Sequence, residues 1–112
     1  MSDTIFGRIA RREIPADIVA ESTRCLAFRD VAPQAPVHVL VIPKEAHATL
    51  NDVNDPSLLG ELLQLACDVA RQEGLADDGY RVVINTNRNG GQTVFHLHAH
   101  VLGGRGMGWP PG

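Results

Sequence analysis

The sequence predicts an α+β fold, a five-stranded antiparallel sheet carrying one long and one short helix. Three observations lead there. Leu58, Leu59, Leu62, Leu63, Ala66, Val69 and Ala70 recur at helical spacing. Five short runs of β-branched and apolar residues flank that segment. Outside the long helix the links between these runs are short, which favours antiparallel neighbours over parallel crossovers. With 112 residues, 44% hydrophobic and 21% charged, the chain suits one domain over 1–112, in which 103–112 form a Gly/Pro-rich C-terminal tail.

From Thr4 to Arg12, Ile5, Phe6 and Ile9 fall on one side and arginines on the other. This predicts a short amphipathic helix stopped by Ile14-Pro15, because proline disfavours helix in the residue before it. Arg8, Arg11 and Arg12 then belong to its solvated side. Residues 18–21 and 25–29 read as two strands of a hairpin turning at Ser22-Thr23-Arg24. After the proline-punctuated connection 31–36, Val37 to Ile42 is a third strand, ended by Pro43, with His38 as its one polar residue.

Asn54-Asp55-Pro56 supplies a cap and a first-turn proline for the long helix, which runs to Gly74. Tyr80 to Asn85 and Phe95 to Leu102 complete the strands. They are joined through 87–92, where Asn89-Gly90 suits a tight turn with positive φ. The expected arrangement is a sheet with its helices on one face.

A net charge of −3 lacks the broad basic footprint of a nucleic-acid binder. Cys25 and Cys67 lie far apart, outside any Cys-x-x-Cys spacing, and read as buried free thiols. Charged residues interrupt every apolar stretch among the first twenty positions, so no secretory signal or membrane span is expected and the cytoplasm is the default compartment.

The chemistry concentrates in His96-Leu97-His98-Ala99-His100. On a strand these three imidazoles share one face, opposite Phe95, Leu97, Ala99 and Val101. Such a row suits either a zinc site or nucleophilic attack at phosphorus. Asn85 and the segment Gly90-Gly91-Gln92-Thr93 precede the row, where backbone N–H groups and the Thr93 hydroxyl can meet an anionic phosphate. No carboxylate or cysteine beside the row completes a metal site. Asp30 reads either as a turn residue or as an acceptor for ribose hydroxyls, His38 either as a core histidine or as a partner of the row. Trp109 is a lone tail tryptophan expected to dock.

His96-Leu97-His98-Ala99-His100-Val101-Leu102 resembles the signature of the histidine triad superfamily, His-x-His-x-His followed by two apolar residues. The likeness extends to Thr4-Ile5-Phe6-Gly7, Cys25-Leu26-Ala27-Phe28, Pro33-Gln34-Ala35-Pro36, Val41-Ile42-Pro43-Lys44, Gly90-Gly91-Gln92 and Trp109-Pro110-Pro111-Gly112. Together these are similar to the nucleotide-binding Hint branch, and the tail separates it from the diadenosine polyphosphate hydrolases.

The resemblance implies a homodimer whose sheets join into one, and a purine nucleoside phosphoramidase that releases AMP or GMP and needs no cofactor. It assigns His98 as the nucleophile that becomes nucleotidylated, His100 as the neighbour that contacts phosphate and assists the leaving group, and His38 as a partner of the triad. The backbone near His96 orients the nucleophile. Asn85, Gly91, Gln92 and Thr93 correspond to the phosphate and leaving-group positions, Asp30 to the ribose position, and Phe6, Phe28 and Val31 to the base pocket. Trp109 corresponds to a residue reaching toward the partner subunit. Thr93 stands where many members have serine. Thr4 and Gly7 replace the paired cysteines of zinc-carrying relatives, so no zinc is expected at His47. A zinc-binding protein and a noncatalytic nucleotide-binding module are the alternatives to this hydrolase.

Overall fold

Residues 3–112 are described by a computed structural model. Helix α1 (Ile5–Ala10) begins at Thr4, whose hydroxyl accepts the Gly7 N–H at 3.0 Å. It ends earlier than Pro15 requires. Arg12 takes a left-handed backbone (φ 62°), its N–H bonds the Ile9 carbonyl, and the Glu13 N–H bonds the Arg8 carbonyl. This is a Schellman closure with arginine in the place glycine usually takes. As expected, Arg8, Arg11 and Arg12 are exposed; Arg11 pairs with Asp3 and Glu13, and Arg12 with Glu21.

Strands β1 (Ile18–Glu21), β2 (Cys25–Arg29), β3 (Val37–Pro43), β4 (Tyr80–Val83) and β5 (Ala99–Gly103) form one sheet in the order β1-β2-β3-β5-β4. Every neighbouring pair is antiparallel. Helix α2 (Pro56–Gln72) starts at Asp55, whose carboxylate accepts the Leu58 N–H at 3.2 Å, and closes at Gly74 with φ 75°. A glycine suits that left-handed position because it has no Cβ to clash.

The helices do not share one face. Leu58, Leu62, Leu65, Ala66 and Val69 of α2 pack with Ala27, Val39, Val41, Ala99 and Val101, whereas Ile9 of α1 packs with Leu26, Phe28, Leu40 and Ile42. Successive side chains on β2 and β3 point to opposite sides. Since both sets are apolar, each side of the sheet centre needs a cover.

Three further expectations are corrected. β5 begins at Ala99 rather than Phe95, since Val41↔Ala99 is the last β3–β5 pair. Pro43, which has no N–H, would face Leu97 two positions farther on, and the Leu97 N–H instead bonds the His47 carbonyl at 2.6 Å. β4 ends at Val83, leaving Asn85 beyond the strand. The link to β5 holds a short helix, α3 (Asn87–Gly90), closed by Gly91 at φ 80°, in place of a tight Asn-Gly hairpin. The Gln92 amide ties this link together by accepting the Asn87 N–H and donating to the Ala48 and Val94 carbonyls.

Cys25 is fully buried, and burial first of all raises its thiol to about 11. Cys67, contrary to expectation, is only partly buried, 3.7 Å from the Tyr80 hydroxyl. Among the described residues no helix is long and apolar enough to cross a membrane.

Candidate active site

The row of histidines straddles the start of β5. Leu97, Ala99 and Val101 enter the α2 side of the core, and His98 and His100 emerge on the α1 side. There they line a cavity of about 620 Å³ with Phe6, Phe28, Asp30, Val31, Leu40 and Thr93. His96 does not open into it. Its Nε2 lies 2.7 Å from the Pro43 carbonyl, and it borders a second hollow of about 500 Å³ that holds no other member of the row.

Hydrogen bonding decides which ring nitrogen carries each proton, because a carbonyl only accepts and a backbone N–H only donates. His98 Nδ1 lies 2.7 Å from the His96 carbonyl, so Nδ1 is protonated and Nε2 of the neutral ring is a bare lone pair. The Gln34 N–H donates to His38 Nδ1 at 3.0 Å, which places the His38 proton on Nε2. That Nε2 is 2.9 Å from His100 Nδ1. His100 Nδ1 is therefore the acceptor, and its Nε2 carries the proton. The ring with the bare nitrogen and the ring with the protonated one are neighbours, their centroids 4.9 Å apart.

Burial supports neutral rings. It is the largest cause lowering His38, His96 and His98 below the ordinary imidazole value, and it pushes His100 down to about 4, helped by His98 and His38. Asp30 acts in the opposite direction on His38, His98 and His100. Its Oδ1 accepts the Ala32 N–H at 2.8 Å, and Oδ2 stands 3.4 Å from His38 Nε2. Phe6 sets its ring edge-on to both Phe28 and His98, at centroid distances of 5.4 and 5.0 Å.

The fold therefore gathers His98, His100, Thr93, Asp30, Val31, Phe6 and Phe28 around one cavity, with His38 directly behind His100. Val31 is fully exposed at its mouth. Asn85 and Gly91 are outside this lining, and the Gln92 side chain is occupied by backbone groups. Trp109, expected to dock, stands 84% exposed in the single chain. A carboxylate does stand beside the row in space: Asp30, His38 and His100 bring ligand atoms within 4.8 Å of one another, although Asp30 is remote from His96, His98 and His100 in sequence. Ile5, Ile9 and Ile14 contribute an apolar wall that carries no functional signal in the sequence, since its spacing reads only as a core face. The Gln34 N–H is a backbone group that no sequence pattern marks.

Residues 11–107 match the HIT domain family. The chain is 52% identical over 108 residues to the purine nucleoside phosphoramidase of Escherichia coli K12, covering 95% of this chain and 91% of that protein. It is 63% identical over 112 residues to an uncharacterised HIT-like protein of Synechococcus elongatus, covering 98% and 97%. Among solved structures, the HIT family hydrolase from Legionella pneumophila superposes with a TM-score of 0.94 at 54% identity, covering 98% of this chain and all of that one. The histidine triad nucleotide-binding protein from Candida albicans superposes at 0.85 with 31% identity, covering 96% and 83%. The family match over residues 11–107 and relatives matched over nearly the whole length lead to one conclusion: the chain belongs to the HIT domain family.

Proposed function

We propose that this protein is a purine nucleoside phosphoramidase, a hydrolase that cleaves nucleoside 5′-monophosphate amides or esters through a nucleotidyl-histidine intermediate. The observation that carries the proposal is the opposed protonation of two adjacent rings, His98 with a bare Nε2 and His100 with a protonated one, both lining a cavity bounded by Asp30 and Phe28. The similarity to the E. coli phosphoramidase supports the choice of substrate class. Phe6, Phe28 and Val31 enclose the base, Asp30 accepts ribose hydroxyls, and the Thr93 hydroxyl serves the phosphate and leaving group, while Asn85, Gly91 and Gln92 stand outside the lining.

In the first step the His98 Nε2 lone pair forms a bond to phosphorus while the P–N bond breaks toward the amine. An amine anion is a very poor leaving group, so nitrogen takes the His100 Nε2 proton as it departs, with Thr93 assisting. His98 gains positive charge on bonding phosphorus as His100 gives up its proton, so the charge balances across the two adjacent rings until the second step restores both. A placed general acid contributes on the order of 10² to 10⁴ in rate. In the second step water attacks phosphorus, its proton returns to His100 Nε2, and His98 leaves with its electron pair, releasing the nucleoside monophosphate. The scheme uses the chain's own groups and no cofactor.

Brief quenching during turnover of an adenosine phosphoramidate, followed by alkaline digestion and peptide mass spectrometry, tests the proposal. AMP is expected on His98. His98→Ala should lose adduct and turnover while still binding AMP, and His96→Ala should retain part of the activity. Near-normal turnover by His98→Ala would sink the assignment. Activity abolished by a chelator and restored by zinc would instead favour metal chemistry at Asp30, His38 and His100.

A further inference from the structure

His100 can act as a donor only if His38 keeps its proton on Nε2, and that depends on the Gln34 N–H at His38 Nδ1. The loop that presents Gln34 has little burial to hold it. Val31, Ala32, Pro33, Gln34 and Pro36 are all exposed, and only Ala35 is buried. Its internal fastenings are short-range, from Ala32 N–H to Asp30 and from Gln34 Nε2 to the Ala32 carbonyl.

Among the described residues, one side chain from outside 30–38 bonds this loop. Arg105 Nη2 donates to the Gln34 carbonyl at 3.0 Å, while Nη1 donates to the Gly106 carbonyl at 3.0 Å and reaches Met107 Sδ at 3.4 Å. The neighbouring Gly104 lies so close that a Cβ there would come within 2.8 Å of Pro36 Cβ. The tail and the loop are thus seated against each other, with Arg105 as their polar tie.

We propose that Arg105 is a positioning residue for His100: by holding Gln34 in place it keeps the Gln34 N–H on His38, and so keeps the His100 proton on the nitrogen that faces the leaving group. The inference rests on the proposed phosphoramidase reading. Without this tie the His38 proton is free to move to Nδ1. His38 Nε2 then becomes an acceptor, His100 Nδ1 takes a proton to match it, and His100 Nε2 turns from donor to acceptor. The loss falls on protonation of the departing amine and leaves nucleotide binding in place.

The test compares the full chain with Arg105→Met, Arg105→Lys and Gln34→Pro, the last deleting the N–H itself. Long-range ¹H–¹⁵N spectra of the imidazoles report each tautomer without any substrate. Both His38 and His100 should be Nε2–H in the native chain, and both should shift toward mixed tautomers in Arg105→Met and Gln34→Pro. For an alkylamine phosphoramidate of AMP, Arg105→Met should lower kcat about two- to tenfold, the range of one neutral hydrogen bond, at unchanged KM. The p-nitrophenyl ester of AMP, whose leaving group needs no proton, should be spared, and Arg105→Lys should recover part of the loss. Native tautomers and native kcat in Arg105→Met overturn the proposal, as do equal losses on both substrates. If Gln34→Pro does not fold, the two Arg105 variants decide. Should the native chain turn over neither substrate, the phosphoramidase reading fails while the imidazole spectra still judge the Arg105 link.

Discussion

A single carboxylate and its neighbours make the residue-scale case. Asp30 has one oxygen engaged by the Ala32 N–H and the other 3.4 Å from His38, at the edge of the cavity. If it reads ribose, AMP should bind more tightly than 2′-deoxy-AMP by about 1.5 to 3 kcal/mol, the value of a hydrogen bond to a charged group. Calorimetry with the two nucleotides measures this, and equal affinities remove Asp30 from the ribose site. The same carboxylate opposes the lowering of His98 and His100 that burial causes. Attack requires neutral His98, and its lowered value keeps the ring neutral as pH falls below the usual imidazole range. The acid limb of kcat/KM should therefore lie below about 6.5, the unperturbed imidazole value. Asp30→Asn removes the group that raises both rings and should move the limb to still lower pH. A limb at or above the ordinary value, or one moved upward by Asp30→Asn, contradicts the burial argument.

Among the elements, the α3 link shows how backbone conformation shapes the approach to β5. Gly91 closes α3 at φ 80°, and a Cβ there would meet nothing within 4 Å. Gly91→Ala should thus cost only the left-handed strain of an L residue, about 1 kcal/mol. Urea unfolding measures that loss, and no change in midpoint would mean the turn relaxes freely. The same region marks the limit of reading elements from sequence. β1 and β2 are legible to the residue because each is a short apolar run ending in a charged residue and a polar turn separates them. The early start assigned to β5 was not, because Pro43, on another strand, ends the pairing. Asn89-Gly90 has the composition of a hairpin turn, but the Gln92 amide satisfies the Asn87 N–H and a helical turn forms instead.

For the whole molecule, the sheet ends in two open edges, β1 and β4, and an unpaired edge invites a symmetric partner. With Trp109 84% exposed in the single chain, a homodimer gives both the edge and the tail something to cover them. Light scattering across a dilution series should show a dimer at micromolar concentration. A fully active monomer there would end both the dimer and the cross-subunit role of Trp109.

The sequence by itself determined the five strands, the long helix, the catalytic candidates and the family, because periodicity, caps and the His-x-His-x-His run are local patterns. Only the tertiary structure decided that α1 and α2 cover opposite faces, that His96 turns to Pro43 while His98 and His100 open into a cavity, and that Asp30 stands beside His38. It alone decided the protonation pattern as well. A neutral imidazole's tautomer depends on what each nitrogen touches, and of the deciding contacts at His38 one, the Gln34 N–H, comes from the bend of the loop that leads into β3 and the other, His100, from another strand.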